Sequence, residues 1–394
     1  MGIVANFTGT SGADTFVGTS AEADFFSYAV ADLDAAGNDI VNGLDGSFVD
    51  VLTLTTAGVI TATMLNNVTR IEEVRLTGIS TLNLSAAFIN SAGATLTVVG
   101  GDGAQVLVTN SLAGNRLIFN AGGGADQLMG GAGSEEFRFV GAATGDLGAG
   151  NDAVVLGGLA TISAVVAGGD GVDTITLGRG GVWSLVAYTG FERLIMTGAT
   201  TVTLSARDGF EAVGSKGNDT ITLATTGQAV QAGFGDDVVH LTAGSFAGAF
   251  LLGGGQKTED VLVIDGSSAV FDFRTAAVVR GFERIEVNAT GATILLNNQA
   301  VEVHLNSAVG NTLTTGNTAG QQIFGSLSND VITSTTAGQV IDGSFGDDVL
   351  TTSFANIIGG TIIRGGAGAD TLQLTDGGVI NLTRAYHFQS GSPD

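Results

Sequence analysis

Nine aspartates occupy the same place in a recurring glycine-rich pattern, and they are the residues of this chain best suited to bind a cation. Each has Gly or Ser two residues before it and a second Gly four or five residues before it. The nine are Asp14, Asp126, Asp152, Asp173, Asp219, Asp237, Asp330, Asp348 and Asp370. Glu135 takes the corresponding place in the second of two adjacent nonapeptides and is a candidate substitute ligand. A carboxylate that folding buries must be paired or must bind a metal, because an isolated charge is costly to desolvate.

Calcium is the cation that suits this pattern best. It accepts many oxygen ligands, including carboxylates and backbone carbonyls, in flexible geometry. The glycines allow positive φ angles, which let a turn fold its carbonyls inward without a Cβ in the way. Magnesium demands stricter octahedral geometry. Zinc would require His or Cys ligands, and this chain has no cysteine and only three widely separated histidines, His240, His304 and His387.

A short β-strand is predicted after each of the nine aspartates. The residue two places after the aspartate is large and apolar in every case. With 44% hydrophobic residues in the chain, chance would give this about six times in ten thousand, so the periodic signal is real. The alternation continues in "DTITL" at 173–177 and 219–223 and in "DTLQL" at 370–374. Period-two alternation is typical of a strand with one buried face.

The spacing of the aspartates predicts a solenoid. Asp219 and Asp237 are 18 residues apart, as are Asp330 and Asp348, and the stretches 218–239 and 329–350 align without gaps. If one coil contains two nonapeptides, 18 residues return the chain to the same edge one layer up, with strands about 4.8 Å apart. The intervening "TTGQ" and "TTAGQ" are then turns on the opposite edge, without a carboxylate. We therefore predict an all-β fold, a calcium-stabilised parallel β-roll or β-solenoid with irregular strand insertions.

Composition excludes several classes of function. Asp and Glu outnumber Lys and Arg by 38 to 14, for a net charge of −24, which argues against nucleic acid because its binders neutralise phosphates with basic residues. The absence of cysteine excludes disulfides and thiol chemistry. No apolar run is long enough for a transmembrane helix, and no Sec signal peptide is visible. We find no catalytic motif and predict that these residues are not an enzyme.

A second, longer repeat overlies the first. It contains an apolar residue followed by Glu, at Ile71-Glu72, Phe191-Glu192 and Phe282-Glu283, and a fourth copy reaches Phe388-Gln389. We interpret the three glutamates as turn or strand-edge charges rather than metal ligands. Asp39, Asp50 and Asp260 are likewise interpreted as turn residues. The repeats predict four modules of one continuous solenoid, which are residues 1–120, 121–212, 213–324 and 325–394, the last apparently cut inside a repeat.

The chain resembles two groups of bacterial repeat proteins. "GGADQLMGGAGSEEF", "GGDGVDTIT" at 168–176 and "GGAGADTLQ" at 365–373 are similar to the nonapeptides of the RTX (hemolysin-type) calcium-binding family. The longer module, "GGDGVDTITL…GFERLIMTG", resembles repeats of bacterial surface-layer and large RTX adhesin-like proteins. The resemblance implies a parallel β-roll with Ca²⁺ held in the turns by the nine aspartates, with Glu135 as a substitute. It also implies type I secretion to the extracellular space or the bacterial cell surface.

The pattern departs from a dense array of nonapeptides. Only residues 121–138 carry two adjacent copies, and the second carboxylate there is Glu135. In "GGDGAQVLV" at 100–108, Gln105 replaces the aspartate. We therefore expect scattered calcium sites separated by calcium-free coils.

The function these features favour is a calcium-binding structural segment of a secreted or surface protein of surface-layer or adhesin type. The alternative is the C-terminal RTX portion of a secreted toxin or hydrolase whose catalytic domain lies outside this chain. A third possibility is glycan or ice binding by a Thr-lined strand face, which would require outward threonines in regular register. The partners expected are calcium ions, with self-association or a cell-surface glycan as further candidates.

Overall fold

The computed structural model describes residues 5–376, apart from 34–35, 37, 45, 79, 94, 158–163, 256–258 and 275–277. The chain divides into two compact units, Met1–Thr197 and Gly198–Asp394. In each unit nearly all regular structure is parallel β-strand wound into coils. The predicted parallel β-solenoid is therefore confirmed. The boundaries of the four predicted modules stay a prediction, and Phe388-Gln389 lies outside the described residues.

Short strands build unit 1. They are β1 Asn6–Thr8, β2 Thr15–Val17, β3 Phe25–Tyr28, β4 Ile40–Asn42, β5 Val51–Leu54, β6 Gly58–Ile60, β7 Val68–Thr69, β8 Glu73–Leu76, β9 Ser80–Leu84, β10 Leu96–Val99, β11 Val106–Thr109, β12 Arg116–Gly122, β13 Ala125–Gly131, β14 Ser134–Phe139, β15 Ala142–Gly148, β16 Ala153–Leu156, β17 Ala164–Ala167, β18 Thr174–Leu177, β19 Gly181–Ser184, β20 Tyr188–Thr189 and β21 Arg193–Met196. A single α-helix, α1 (Ala86–Ser91), and two 3₁₀ turns, Val30–Asp32 and Ala62–Leu65, lie among these described strands.

Unit 2 has the same construction. Its strands are β22 Thr200–Thr203, β23 Glu211–Val213, β24 Thr220–Thr222, β25 Ala229–Gly233, β26 Val238–Leu241, β27 Phe250–Gly254, β28 Val261–Ile264, β29 Val270–Asp272, β30 Val278–Arg280, β31 Arg284–Val287, β32 Thr293–Leu295, β33 Glu302–Leu305, β34 Thr312–Thr314, β35 Gln322–Phe324, β36 Val331–Thr333, β37 Val340–Asp342, β38 Val349–Thr352, β39 Ile362–Arg364 and β40 Thr371–Leu374. Two short helices, α2 (Ala243–Phe246) and α3 (Phe354–Ile358), are inserted between its described strands.

Each unit has three parallel sheets, because successive coils add one strand to each face. In unit 1, sheet A runs β1-β3-β5-β8-β10-β12-β14-β16-β18-β21, sheet B runs β2-β4-β7 and sheet C runs β20-β17-β15-β13-β11-β9-β6. In unit 2, sheet D runs β22-β24-β26-β28-β31-β33-β35-β37-β39, sheet E runs β23-β25-β27-β30 and sheet F runs β29-β32-β34-β36-β38-β40. None of the helices in the described part of the chain has the length and hydropathy that a membrane span requires.

Inward side chains stack in columns from coil to coil. In sheet A, Phe137 pairs with Val154, Val154 with Ile175, and Ile175 with Leu194. All four are fully buried, since alternate residues of a strand face the same side. The apolar residue two places after each aspartate is the one that enters such a column. Seven of the nine are buried, and Phe16 and Leu372, on edge strands β2 and β40, are half-buried.

The predicted 18-residue coil is confirmed in two places. Ile221 of β24 pairs with Val239 of β26, and Ile332 of β36 pairs with Leu350 of β38. The strand between the two aspartates lies in a different sheet in both cases, which is sheet E for β25 and sheet D for β37. The "TTGQ" and "TTAGQ" turns therefore lie away from the carboxylates, as predicted. Other coils are longer than 18 residues, and some of them contain α1, α2 or α3. These insertions lengthen the coil, but the strands on either side keep their register with the neighbouring coils.

Candidate functional site: buried carboxylate ladders

Many strands of the solenoid begin at a carboxylate side chain that accepts a hydrogen bond from a backbone amide of the preceding coil. The amide of Asp152 donates to Oδ1 of Asp173 at 2.8 Å. The amide of Asp330 donates to Oδ1 of Asp348 at 2.8 Å in the same way. Because strands stack about 4.8 Å apart, an aspartate in every coil reaches the backbone amide of its predecessor. The result is a ladder of carboxylates along one edge of the solenoid.

The described residues contain six such ladders. Their members, in order, are Asp14–Asp39; Asp24–Asp50–Glu72; Gln105–Asp126; Glu135–Asp152–Asp173–Glu192; Thr200–Asp219–Asp237–Asp260–Glu283; and Ala292–Asn311–Asp330–Asp348–Asp370. All ten predicted ligand residues are ladder members. Eight of them are almost fully buried, and Asp14 and Asp370 are half-buried.

The ladders also contain residues that sequence reasoning missed. Asp24, Asp39, Asp50 and Asp260 are buried members, although the sequence pattern assigns three of them to turns and does not single out Asp24. Asn311 holds a ladder position with an amide, whose Oδ1 accepts the Ala292 amide at 2.8 Å. The glycine pattern before the aspartate does not identify these additional ladder residues. The useful signal is an Asp directly before alternating apolar residues, as in "DVLTL" and "DVLVI".

The glutamate of the longer repeat ends three of the ladders. The Asp50 amide donates to Glu72 Oε2 at 2.8 Å, the Asp173 amide to Glu192 at 2.6 Å and the Asp260 amide to Glu283 at 2.9 Å. The apolar residue before each of these glutamates, Ile71, Phe191 or Phe282, is buried. The repeated apolar-Glu pair therefore anchors a coil in the core and closes the ladder, a role that the sequence did not predict.

A second ladder runs beside the first on the outer side of the turn. The residue before the aspartate accepts the amide of its counterpart in the next coil, as when Asp236 donates to Asn218 Oδ1 at 3.1 Å. Asp347 donates to Asn329 Oδ1 at 2.9 Å. These bonds point the opposite way along the stack from the bonds of the inner ladder. Together the two ladders fix the spacing of stacked turns from both sides.

The turns that precede the ladder aspartates are of two kinds. In the first kind, which we call self-capped turns, a backbone amide of the same turn donates a hydrogen bond to Oδ2 of the aspartate. Asp219 Oδ2 accepts the Ser215 amide at 2.7 Å, and Asp330 Oδ2 accepts the Ser326 amide at 2.7 Å. Thr10 does the same for Asp14 at 2.7 Å. Each donor stands four residues before the aspartate. In this self-capped turn Oδ2 accepts a backbone amide, which lowers the pKa of the carboxyl, although for Asp219 burial has the larger effect and raises it.

In the second kind, which we call open turns, two backbone positions are left-handed. The residues four and two places before the aspartate both have positive φ in six turns, which end at Asp126, Asp152, Asp173, Asp237, Asp348 and Asp370. In five of these turns both positions are glycine, and in the sixth Ser344 has φ 71°. The amide four residues before the aspartate then turns away, as where Gly148 donates to Asp146 Oδ1 at 3.2 Å. In an open turn this amide therefore does not donate to Oδ2 of the aspartate, as it does in a self-capped turn.

The second carboxylate oxygen is left without a hydrogen bond in five of the open turns. Oδ2 is buried and unpartnered in Asp126, Asp152, Asp237, Asp348 and Asp370. A buried polar atom without a partner costs about 1–3 kcal/mol, and more if it is charged. In the self-capped turns, by contrast, Oδ2 of Asp14, Asp219 and Asp330 accepts a backbone amide. These five Oδ2 atoms therefore all belong to left-handed turns, although Asp24, whose turn is not left-handed, also has an unpartnered oxygen, Oδ1.

Carbonyl oxygens of one open turn face the glycines of the next. A Cβ on Gly171 would lie 1.5 Å from the Gly150 oxygen, and one on Gly368 would lie 1.9 Å from the Gly346 oxygen. The open turns ending at Asp152 and Asp173 are adjacent in the stack, and a bridge joins Ala149 to Asp170. The turns ending at Asp348 and Asp370 are adjacent in the same way. Only glycine permits this approach, so the backbones of adjacent open turns are in close contact.

Burial makes these carboxylates weak acids. Burial chiefly, and then the charges of neighbouring carboxylates, raises the pKa of Asp152, Asp237 and Asp348 to about 7. Burial raises the pKa of Asp126 to about 6. Since each ionised aspartate repels the next in its ladder, the fold favours protons, or another cation, at these positions.

We predict that without divalent cations the protein is more stable in acid than in base. The unfolded pKa of Asp is about 3.9, so the folded state holds extra protons between that pH and about 7. The stabilisation is complete below about pH 4 and is lost as the pH rises through the folded values. In EGTA the melting temperature at pH 5 should exceed that at pH 8 by at least roughly 5 °C. Circular dichroism at both pH values measures this, and a higher melting temperature at pH 8 would contradict it.

The donor set of an open turn fits calcium. Among the residues that the structure describes, no three His, Asp or Glu side chains lie close enough to hold a metal by themselves. A cation at an open turn would therefore be held by the aspartate Oδ2 and backbone carbonyls, a mixture that calcium accepts and zinc does not. His240 instead contacts Asp265 at 2.8 Å, His304 contacts Glu302, and His387 is outside the described residues.

The chain matches no protein-family model, and no similar protein was found among curated proteins or solved structures. The assignment of a ligand to these turns therefore depends on their geometry and chemistry.

Proposed function

We propose that this chain is a calcium-binding structural segment of a secreted or cell-surface bacterial protein, of the surface-layer or adhesin type that its repeats resemble. The observation that carries the proposal is the coincidence at the open turns. Wherever the backbone is left-handed four and two residues before an aspartate, the turn packs its backbone closely against a neighbouring coil and does not cap its own carboxylate. In at least five of these turns its Oδ2 has no hydrogen-bond donor.

Calcium would neutralise the carboxylates that otherwise repel one another in the ladders. The open-turn aspartates would hold it with Oδ2, while their Oδ1 atoms keep the amides of the preceding coil. The self-capped aspartates would continue the ladder without an ion. Calcium sites would then be confined to the open turns, in keeping with the scattered sites that the sequence predicts.

Folding would be coupled to export under this proposal. In the calcium-poor cell interior, the net charge of −24 opposes compaction by self-repulsion. Outside, millimolar calcium would fill weak extracellular-type sites, and the free energy of binding would become free energy of folding. Extracellular localisation, type I secretion and a non-enzymatic role are parts of the same proposal, and they draw support from the repeat resemblance.

Circular dichroism with and without calcium tests the proposal. In EGTA at about pH 7.5 we expect weak β-structure or a lowered melting temperature, and about 5 mM calcium should restore both, since binding to the folded state alone stabilises it. Magnesium at the same concentration and ionic strength is the control, and it should restore much less because it dehydrates reluctantly and requires stricter geometry. An identical spectrum and melting temperature in EGTA and calcium would refute the proposal.

A further inference from the structure

The outward side chains of sheet F form an ordered array of threonine and aliphatic groups. In β32, β34, β36, β38 and β40 the second residue points inward, so the first and third residues point outward. We call these outward positions the threonine face, and all of them are half-buried or exposed. The others are Leu, Val or Gln, and the six threonines are Thr293, Thr312, Thr314, Thr333, Thr351 and Thr371.

The array is in register both along and across the strands. Thr314 pairs with Thr333 and Thr333 with Thr351, so three threonines stand in one column over three successive coils. Thr312, two residues before Thr314 on the same strand, pairs with Thr293. Neighbouring strands lie about 4.8 Å apart, and alternate residues of one strand lie about 6.7 Å apart. This is the regular register that a binding face of threonines requires.

Most hydroxyl groups of the face make no hydrogen bond to the protein. Within the part of the chain that the structure describes, only the Thr351 hydroxyl has a side-chain partner, Gln373 Oε1 at 3.4 Å. In the turn beside the face, by contrast, the hydroxyls of Thr315 and Thr335 contact each other at 3.2 Å. The outward hydroxyls are therefore free to bond to water or to a ligand.

The threonine face has no charged side chain, although the chain has a net charge of −24. The outer face of sheet D, in the same unit, carries Arg284, which pairs in register with Glu302. On β29, the strand of sheet F next to the threonine face, Asp272 is outward but is bonded to Arg274 at 2.8 Å. The lack of charge therefore distinguishes this face from its neighbours in unit 2.

The size of the face argues against a protein partner. Five strands about 4.8 Å apart, each with two residues about 6.7 Å apart, cover only roughly a few hundred Å². A stable protein interface takes about 800 Å² from each partner. The face offers no aromatic ring on which a sugar could stack, and its Thr and Val side chains are stiff at χ1. Such a preorganised grid suits a partner that is itself rigid and periodic.

Ice is the partner whose chemistry fits this grid. Every water molecule in ice both donates and accepts hydrogen bonds, as a threonine hydroxyl does. The two repeats of the grid are close to those of the oxygen atoms on a prism face of ice. A charged side chain would resist losing its hydration to the crystal, and this face has none.

We propose that the threonine face binds ice through its Thr hydroxyls and its Thr and Val methyl groups. Ice binding would be a role beyond calcium binding, because the ladder carboxylates lie at the edge of the sheet and not on this face. Asp330 and Asp348, for example, directly precede β36 and β38 and are buried.

The ice affinity of a matched pair of variants tests the proposal. Thr333→Lys places a long charged side chain at the centre of the face. Thr176→Lys is the control, because Thr176 is also a half-buried outward threonine and pairs with Val155 and Ile195 inside sheet A. The native chain and the control should show thermal hysteresis and should be retained in slowly growing ice, and Thr333→Lys should lose both properties. Circular dichroism in about 5 mM calcium checks that each protein is folded.

Several outcomes would contradict ice binding at this face. They are a native chain without hysteresis, equal retention of the native chain and Thr333→Lys in ice, and equal loss in both variants. Retention on insoluble cellulose or chitin instead of ice, lost in Thr333→Lys, would make this a glycan site. A native oligomer that Thr333→Lys dissociates in sedimentation would make it a contact between copies. Should Thr333→Lys not fold, Thr312→Lys replaces it, since Thr312 is exposed.

The calcium and ice measurements have separate outcomes. None of these variants changes a ladder residue, so calcium should raise the melting temperature of all of them equally. A failure of ice binding would leave the proposed function unaffected. A chain that folds without calcium would refute the proposed function and could still be tested for ice binding.

Discussion

Gly171→Ala should lower the melting temperature by roughly 10 °C in calcium and should remove an ion from the turn that ends at Asp173. The glycine has φ 143°, in a region that only glycine adopts readily, and strain there costs about 1–3 kcal/mol. A Cβ would also lie 1.5 Å from the Gly150 carbonyl oxygen. Relieving that overlap requires the two adjacent open turns to separate, which adds a comparable cost.

The effect should extend beyond a local clash, because Gly150 belongs to the neighbouring open turn, which ends at Asp152. The bonds that hold the two turns in register, such as the Gly150 amide to the Asp170 oxygen at 2.8 Å, would lengthen with it. Stability would therefore be lost in both calcium and EGTA. The loss should be greater in calcium, where the native chain gains from binding.

Gly157→Ala is the matched control. Gly157 is exposed, lies one residue after β16 and has no left-handed φ, and a Cβ added to it would meet no atom within 4 Å. Its substitution should change the melting temperature by no more than about 2 °C. Differential scanning fluorimetry of both variants, with and without calcium, is the measurement. Equal effects of the two substitutions would show that the left-handed turns are not constrained as the geometry indicates.

Local sequence patterns predicted the coil because every coil places its side chains by the same short sequence pattern. An aspartate followed two residues later by a large apolar residue fixes which side chain enters the core, as with Asp173 and Ile175. In a parallel stack, that choice also fixes the register with the coils on either side. The position of the carboxylates at the edge follows without further information.

What the sequence could not reveal depends on contacts between coils. Asp24 has no glycine pattern, and it joins a ladder only because Asp50 follows it one coil later and accepts its amide at 2.8 Å. Glu192 closes a ladder because β21 pairs with β18. The sheet that bears the ladder also changes, from sheet C at Asp126 to sheet A at Asp152. These partners are separated by chain segments of variable length, which local patterns do not determine.

The division into self-capped and open turns is also hidden in the sequence, because the residue type four places before the aspartate does not determine it. Ser215 and Gly233 both stand four residues before a ladder aspartate, and the glycine-rich pattern includes both turns. Ser215 keeps an ordinary backbone and donates its amide to Asp219, whereas Ser344 has φ 71° and its turn leaves Asp348 Oδ2 without a donor. Glycine adopts φ 110° and leaves Asp237 Oδ2 without a donor. In physical terms, the backbone conformation at this position decides whether the chain itself supplies a donor to the carboxylate Oδ2.

Asp152→Asn should stabilise the protein in EGTA and destabilise it relative to the native chain in calcium. The substitution removes a buried charge between Glu135 and Asp173, whose repulsion contributes to the raised pKa of Asp152. The asparagine Oδ1 can still accept the Glu135 amide, as Asn311 accepts the Ala292 amide at 2.8 Å in another ladder. At about pH 8 in EGTA we expect a rise in melting temperature of roughly 3–6 °C.

In calcium, Asp152→Asn should lower the melting temperature instead of raising it, because the variant lacks the carboxylate that would bind the ion. Its neutral amide would hold calcium more weakly, since affinity depends on the number of charged ligands. The calcium-induced rise in melting temperature should shrink, and the ion count should fall by about one. A variant that is more stable than the native chain in both conditions would show that Asp152 binds no ion.

Asp219→Asn distinguishes loss of an ion from loss of a hydrogen bond. Asp219 Oδ1 accepts the Thr200 amide at 2.7 Å, and its Oδ2 accepts the Ser215 amide at 2.7 Å. Asparagine has one oxygen for these two donors, so one amide would face an NH₂ group and cost about 1–3 kcal/mol. This cost is independent of calcium, so Asp219→Asn should lower the melting temperature equally in EGTA and in calcium. In EGTA, Asp152→Asn should therefore raise the melting temperature and Asp219→Asn should lower it. Opposite changes of this kind are expected only if Oδ2 lacks a donor in the open turn and accepts a backbone amide in the self-capped turn.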